Sequence, residues 1–229
     1  MSQDHTVALF VGPPGAGKGS LSGFCRRSLG WEQLSTGDLL RKCISEGSEL
    51  GKQIDFIIKS GKLVSDELIN SMVEQWLIES CGQGMRGVIL DGYPRTVAQA
   101  KSLCEFVEKS LKGSRLKVVR FLVEDTVAVE RISARFVCTN KDCQAVYSGL
   151  KNSAMKPRED MKCAQCGEQI GKRQDDKESV VKDRLITYRR HEKDLLDFYR
   201  DRGNQIIECD AAQPLDELFN EFKTLMNIR

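Results

Sequence analysis

Apolar and polar positions follow two regimes along the 229 residues. Short, unbroken apolar runs at 7–11, 88–91, 118–123 and 205–209 predict strands buried on both faces, as in a parallel sheet covered by helices. Stretches of helical period lie between them, at 18–29, 67–80, 97–111, 127–135, 177–202 and 215–226. In 177–202, Val181, Leu185, Tyr188, Leu195 and Tyr199 recur at spacings of three, four or seven and share one face. Asp175 and Asp176 suit the positive end of that helix, and Gly203 follows its other end. Alternation of strand and helix predicts an open, doubly wound α/β fold. Two stretches break the alternation. Residues 35–64 are polar and helical, punctuated by Gly47, Gly51 and Gly61, and residues 136–174 are rich in Cys, Lys and Gly with little apolar period. Both read as insertions, leaving 1–34, 65–135 and 175–229 as the core domain.

Composition narrows the classes. With 40% apolar and 30% charged residues the chain is globular rather than disordered. A formal charge of only +2 gives no global field of the kind that marks nucleic-acid or membrane binders. No apolar run approaches the ~20 residues of a membrane span, and residues 1–6 are polar rather than a signal peptide. An odd total of nine cysteines argues against a disulfide framework. The chain is therefore read as cytoplasmic, with no membrane and no nucleic-acid partner.

The stretch LFVGPPGAGKGSLSGF carries the first chemistry. A strand runs into Gly12, Pro13, Pro14, Gly15, Ala16 and Gly17, and a helix follows. Glycines let backbone amides curl around an anion, and the new helix turns its unpaired N–H groups and positive end toward the same anion. Lys18 adds a mobile charge for the outer phosphates, and Ser20 a hydroxyl for a magnesium ion. The strict pattern G-x-x-x-x-G-K-[ST] is not quite met, because Gly19 separates lysine from hydroxyl.

The variant G-x-P-G-x-G-K-G-S resembles the loop of the nucleoside monophosphate kinases, adenylate kinases in particular. LSTGDLLR, GKLVSDEL and LDGYPRTVAQA, in that order, are similar to three further motifs of the family. The resemblance runs from Val7 to Pro214 and implies a five-stranded, P-loop NTPase-like parallel sheet, with residues 35–64 as the monophosphate-binding insertion and 136–174 as a lid. It implies that Asp91, at a strand end, holds magnesium through water, and that Arg41 and Arg95 clamp the acceptor phosphate in bidentate fashion. Thr36, Lys62, Leu63, Val64, Gly92 and Gln99 are then expected around AMP, the Gln99 amide offering a donor and an acceptor to adenine. On the donor side the resemblance puts Arg131 and Gln213 at the ATP base together with Val146 and Tyr147, and sends Arg135 to the phosphates. In VERISARFV, Arg131 and Arg135 are read as i and i+4 on one helix face. Arg173 and Arg184 match the two arginines that close on the transferring phosphoryl group and on AMP. Many bacterial relatives carry histidine after the lid tyrosine; this chain carries Ser148, which implies looser donor selectivity.

CTNKDC and CAQC supply Cys138, Cys143, Cys163 and Cys166 at spacings typical of structural zinc. Four thiolates close a tetrahedron with no open position, so such a site is structural, and it explains how a stretch with little core can fold. Some adenylate kinases carry a zinc lid at this place. The implied reaction is reversible transfer, MgATP + AMP giving two ADP, by a monomer. The runner-up is a kinase of UMP, CMP or another monophosphate. A P-loop switch with a nucleic-acid-binding ribbon is a third reading. It is disfavoured because the ribbon has only Phe136 and Tyr147 as aromatics and intersperses Asp142, Glu159, Asp160 and Glu168.

Overall fold

The computed structural model describes residues 5–47, 49–59, 64–82, 86–140, 143, 145–151, 153, 155–173, 176 and 178–228, without the side chains at 50, 58, 59 and 82. The strands of its main sheet are β1 (Thr6–Val11), β2 (Glu32–Ser35), β3 (Gly87–Asp91), β4 (Arg115–Leu122) and β8 (Ile206–Asp210). That sheet is parallel throughout, in the order β2-β3-β1-β4-β8. The helices are α1 (Lys18–Leu29), α2 (Thr36–Ser45), α3 (Glu49–Lys59), α4 (Asp66–Gly82), α5 (Val97–Ser110), α6 (Asp125–Ser133), α7 (Glu178–Asp201) and α8 (Leu215–Met226).

Strand β1 shows why the apolar runs are unbroken. Val7, Leu9 and Val11 pack on one side with residues of α4, α5 and α7, while Ala8 and Phe10 pack on the other with α1 and α8. Successive side chains point to opposite faces, so a central strand covered on both sides must be apolar at every position. Phe10 anchors the second side: its ring lies 4.9 Å from that of Phe121 and 5.7 Å from that of Phe222.

Strand β2 was not among the apolar runs. It is short, it lies at the sheet edge, and Leu34 alone of its four residues is buried. The stretch between β2 and α4 holds α2 and α3. Between α6 and α7 a small antiparallel sheet is built from β5 (Arg135–Cys138), β6 (Val146–Ser148) and β7 (Ile170–Gly171), in the order β6-β5-β7. Its own apolar cluster is Cys138, Ala145, Tyr147, Cys163 and Ile170. Among the described residues no helix is long and apolar enough to cross a membrane.

Candidate active site

Open α/β sheets bind ligands beyond the carboxyl ends of their strands. Here the carboxyl end of β1 leads into the glycine loop and that of β3 into Asp91. Gly15 sits at φ 87°, and a Cβ there would lie 2.3 Å from the Ala128 carbonyl oxygen, so only glycine fits. Lys18 opens α1 and folds back over the loop. Its Nζ donates to the carbonyls of Gly12 at 2.8 Å and Pro13 at 3.0 Å. Burial brings its pKa down to about 8; the charges of Arg95, Arg184 and Arg135 push the same way, and Asp91 opposes them. Burial likewise raises the Asp91 carboxyl, against the pull of Lys18, Arg95 and Arg173. These shifts report one shared field: Lys18, Asp91, Arg95, Arg135, Arg173 and Arg184 converge beyond β1 and β3. Gly19 lies against the same cluster, since a Cβ on it would sit 3.6 Å from Asp91 Oδ2.

The turn after β3 ties this cluster to α2 and α5. Gly92 stands at φ 79°, and its carbonyl accepts from Thr36 Oγ1 at 2.9 Å and from Arg95 Nε at 2.8 Å. Thr36 is buried under that turn. Thr96 caps α5 by accepting from the Gln99 N–H, and Gln99 reaches back to accept the Arg95 N–H at 2.7 Å. Ser35 caps α2 in the same manner, accepting from the Asp38 N–H. Val64 packs at the margin of the apolar core. Lys62 and Leu63 lie outside the described residues.

Three carboxylates that sequence reasoning did not place in the site hold its side chains, two of them on arginines and one on Thr96 and Gln99. Asp38 pairs with Arg41 and accepts from Arg173 Nη2 at 3.2 Å. Burial pushes the Asp38 carboxyl up, but Arg41 and Arg173 outweigh it and hold the carboxyl below its ordinary range. Asp176 takes both arms of Arg135, with Nε at 2.9 Å. Asp66 accepts from Thr96 and Gln99. Asp38 stands in the quoted LSTGDLLR, three residues after a capping serine, which is the one local signal for it; its partner Arg173 is 135 positions away. A cleft of about 270 Å³ lies between α2 and the small sheet, lined on its polar side by Arg41, Lys42, Lys172 and Arg173.

Arg131 and Arg135 do not share a helix face. Helix α6 stops at Ser133, where the Ala134 N–H closes onto Glu130 and Ile132 carbonyls, and Arg135 opens β5, paired with Ser148. The ladder to β6 takes the chain out of the helix. The two guanidinium groups therefore part: Arg131 donates to the carbonyls of Ala211 at 2.5 Å and Ala212 at 3.0 Å, next to Gln213, which itself bonds Glu221.

In the small sheet, the Sγ atoms of Cys138, Cys143, Cys163 and Cys166 lie within 4.8 Å of one another. Cys138 and Cys166 are 3.4 Å apart and Cys143 and Cys163 3.6 Å, with no disulfide among them. Four thiolates bound at ~2.3 Å around a tetrahedral zinc stand roughly 3.8 Å from each other, so the cage has the size the ion requires. Val146 and Tyr147 belong to β6. Tyr147 is turned into the cluster: its hydroxyl accepts the Ala164 N–H at 2.7 Å, which leaves its hydrogen for Cys163 Sγ at 3.2 Å. Burial would raise the Cys163 thiol; the hydrogen bond from Tyr147, with backbone N–H groups, brings it to about 6 instead.

Comparison with known proteins agrees with this geometry. The family model described as adenylate kinase matches residues 10–204. The adenylate kinase of Petrotoga mobilis is 39% identical over 95% of this chain and 96% of its own length. That of Thermosipho melanesiensis is 39% identical over 93% and 95%. That of Archaeoglobus fulgidus is 36% identical over 95% and 96%.

Proposed function

We propose a division of labour among these residues on one premise: the chain belongs to the adenylate kinase family, and it is a phosphotransferase that moves a phosphoryl group reversibly from ATP to AMP. The observation that carries the proposal is the convergence of one lysine, four arginines and Asp91 at the carboxyl edge of the sheet. On the donor side the glycine loop, Lys18 and Ser20 bind the triphosphate, and Arg131, Val146, Tyr147 and Gln213 border its base. On the acceptor side Arg41 and Arg95 hold the AMP phosphate, while Thr36, Gly92, Gln99 and the 62–64 stretch surround its nucleoside. Arg135, Arg173 and Arg184 close on the phosphoryl group in flight.

The acceptor phosphate oxygen is already a nucleophile, so no protein base is required. What the residues supply is alignment of donor and acceptor and neutralisation of charge along the in-line path. Asp38 and Asp176 occupy guanidinium groups that phosphate oxygens would fill, so Arg41, Arg135 and Arg173 each have a carboxylate partner that bound phosphate would replace. Magnesium, which adenylate kinases use, would be held at Asp91 through water and would supply charge neutralisation to the triphosphate. Zinc in the four-cysteine cage would make the small sheet a rigid flap, and its thiolate donor set and spacing suit that ion. Residues 35–64 and 136–174 act as the two covers that shut out water, adenylate kinase lids being a known case of such closure. Ser148 beside the donor base supports tolerance of other triphosphates. A monomer in the reducing cytoplasm fits nine unpaired thiols.

The test is a coupled assay with MgATP and a panel of monophosphates. AMP should be the preferred acceptor. Turnover dominated by UMP, CMP or GMP would overturn the acceptor assignment, and no diphosphate from any of them would overturn the division of labour as a whole.

A further inference from the structure

We propose that Asp66 decides which purine edge the acceptor site accepts, by locking the Gln99 side-chain amide in one of its two orientations. The inference rests on the reading above that Gln99 faces the acceptor's base.

Gln99 is 5% exposed, and both ends of its amide are engaged. Its Oε1 accepts the Arg95 backbone N–H at 2.7 Å, and its Nε2 donates to Asp66 Oδ1 at 2.7 Å. The other oxygen of Asp66 accepts from Thr96 Oγ1 at 2.9 Å. Thr96 Oγ1 in turn accepts the Gln99 N–H at 3.1 Å, so the single hydroxyl hydrogen is left for the carboxylate. An ionised carboxylate can only accept, and a backbone N–H can only donate. Turning the amide over would set Nε2 against the Arg95 N–H and Oε1 against Asp66. Two charge-complementary contacts would become two repulsive ones in a nearly dry site.

The locked amide keeps one Nε2 hydrogen and one Oε1 lone pair, in a fixed order. A 6-aminopurine offers the complement, a ring-nitrogen acceptor beside an amino donor. A 6-oxopurine offers a ring N–H beside a carbonyl oxygen, which only the turned amide could meet. A site that leaves a polar group mismatched rejects the wrong base far more strongly than one that merely lacks a contact. Asp66, which need not touch the nucleotide, thus acts as a positioning residue for base selection. A plainer role exists for this pattern: T-x-x-Q at 96–99 is the signature of a helix-capping box, in which Gln99 would serve the start of α5 alone.

AMP and IMP differ only at the edge in question and separate the two roles. With MgATP, kcat and KM would be measured for each, IMP also as an inhibitor against AMP, in the native protein, Asp66→Asn and Gln99→Ala, alongside melting temperatures. An asparagine at 66 can donate as well as accept, so it relieves one of the two contacts that oppose the turn and leaves only the Arg95 N–H against it. The AMP-to-IMP ratio of kcat/KM should fall about tenfold or more in Asp66→Asn, carried by KM, and fall also in Gln99→Ala. A ratio unchanged in Asp66→Asn but lost in Gln99→Ala overturns the role of Asp66 while leaving Gln99 at the base. A ratio unchanged in Gln99→Ala overturns the Gln99 reading and the proposal with it. If Asp66→Asn does not fold, Asp66→Ser, which removes the carboxylate but keeps a polar group at the start of α4, is read by the same ratio.

Discussion

The main sheet and the small sheet solve the same problem by different means. In the main sheet, β1 is apolar from Val7 to Val11, paired on both edges and closed on both faces by five helices, so a two-sided core holds it. Among the described residues the small sheet buries five apolar side chains, with Phe136, Cys143 and Met161 packed against them, and two of the five are Cys138 and Cys163. Without the cysteines, three buried side chains remain, Ala145, Tyr147 and Ile170. The difference follows from what each part does. Phosphate-binding groups need a rigid edge, which a two-sided core supplies. On the proposed reading the small sheet is a cover that comes and goes, which a large apolar interface would seal shut, and a metal in its four-cysteine cage would give it internal stiffness without one.

Stripping the metal should break this comparison most severely. Structural zinc in small peptides contributes on the order of 10–16 kcal/mol, so chelation should release amide-exchange protection in β5, β6 and β7 while β1 and β3 keep theirs. Protection retained in β5–β7 without metal would refute the claim. The reverse experiment acts on the core. Phe10→Ala should cost roughly 3–5 kcal/mol of global stability yet leave the metal content of the folded protein unchanged. A smaller effect concerns Lys18, whose pKa burial pulls down to about 8. Bound phosphate favours the charged amine, so nucleotide binding should take up a proton above pH 8. Affinity should then weaken as pH rises through 8, by up to about tenfold per unit, with proton uptake visible by calorimetry in buffers of different ionisation enthalpy. Affinity independent of pH between 8 and 9.5 would mean that Lys18 does not meet the phosphates.

The same contrast governs what could be read from the sequence. Apolar runs and helical periods are local, so α1, α8 and most of β1 were legible to within a residue. Strand β2 was not, because an edge strand with Glu32 and Gln33 half-buried carries no such run. VERISARFV keeps a helical period and so predicts a helical Arg135, while pairing with β6, a tertiary fact, ends the helix two residues earlier. Glycines and cysteines announce themselves by spacing, as the loop and the thiolate cage illustrate. Carboxylates that hold a functional side chain from behind do not: Asp66 meets Gln99 across 33 positions and Asp176 meets Arg135 across 41. Charge partners of this kind become visible only once the fold brings them together.

The central claim is that phosphoryl transfer depends on cations fixed at the edge of the main sheet. Its most direct test is Arg95→Ala, assayed for ADP formation from MgATP and AMP beside its melting temperature. Arginines that stabilise transferring phosphoryl groups are worth ~10³–10⁵ in rate, so kcat should fall by about that factor with an unchanged melting transition. A folded Arg95→Ala protein with near-native turnover would contradict the account.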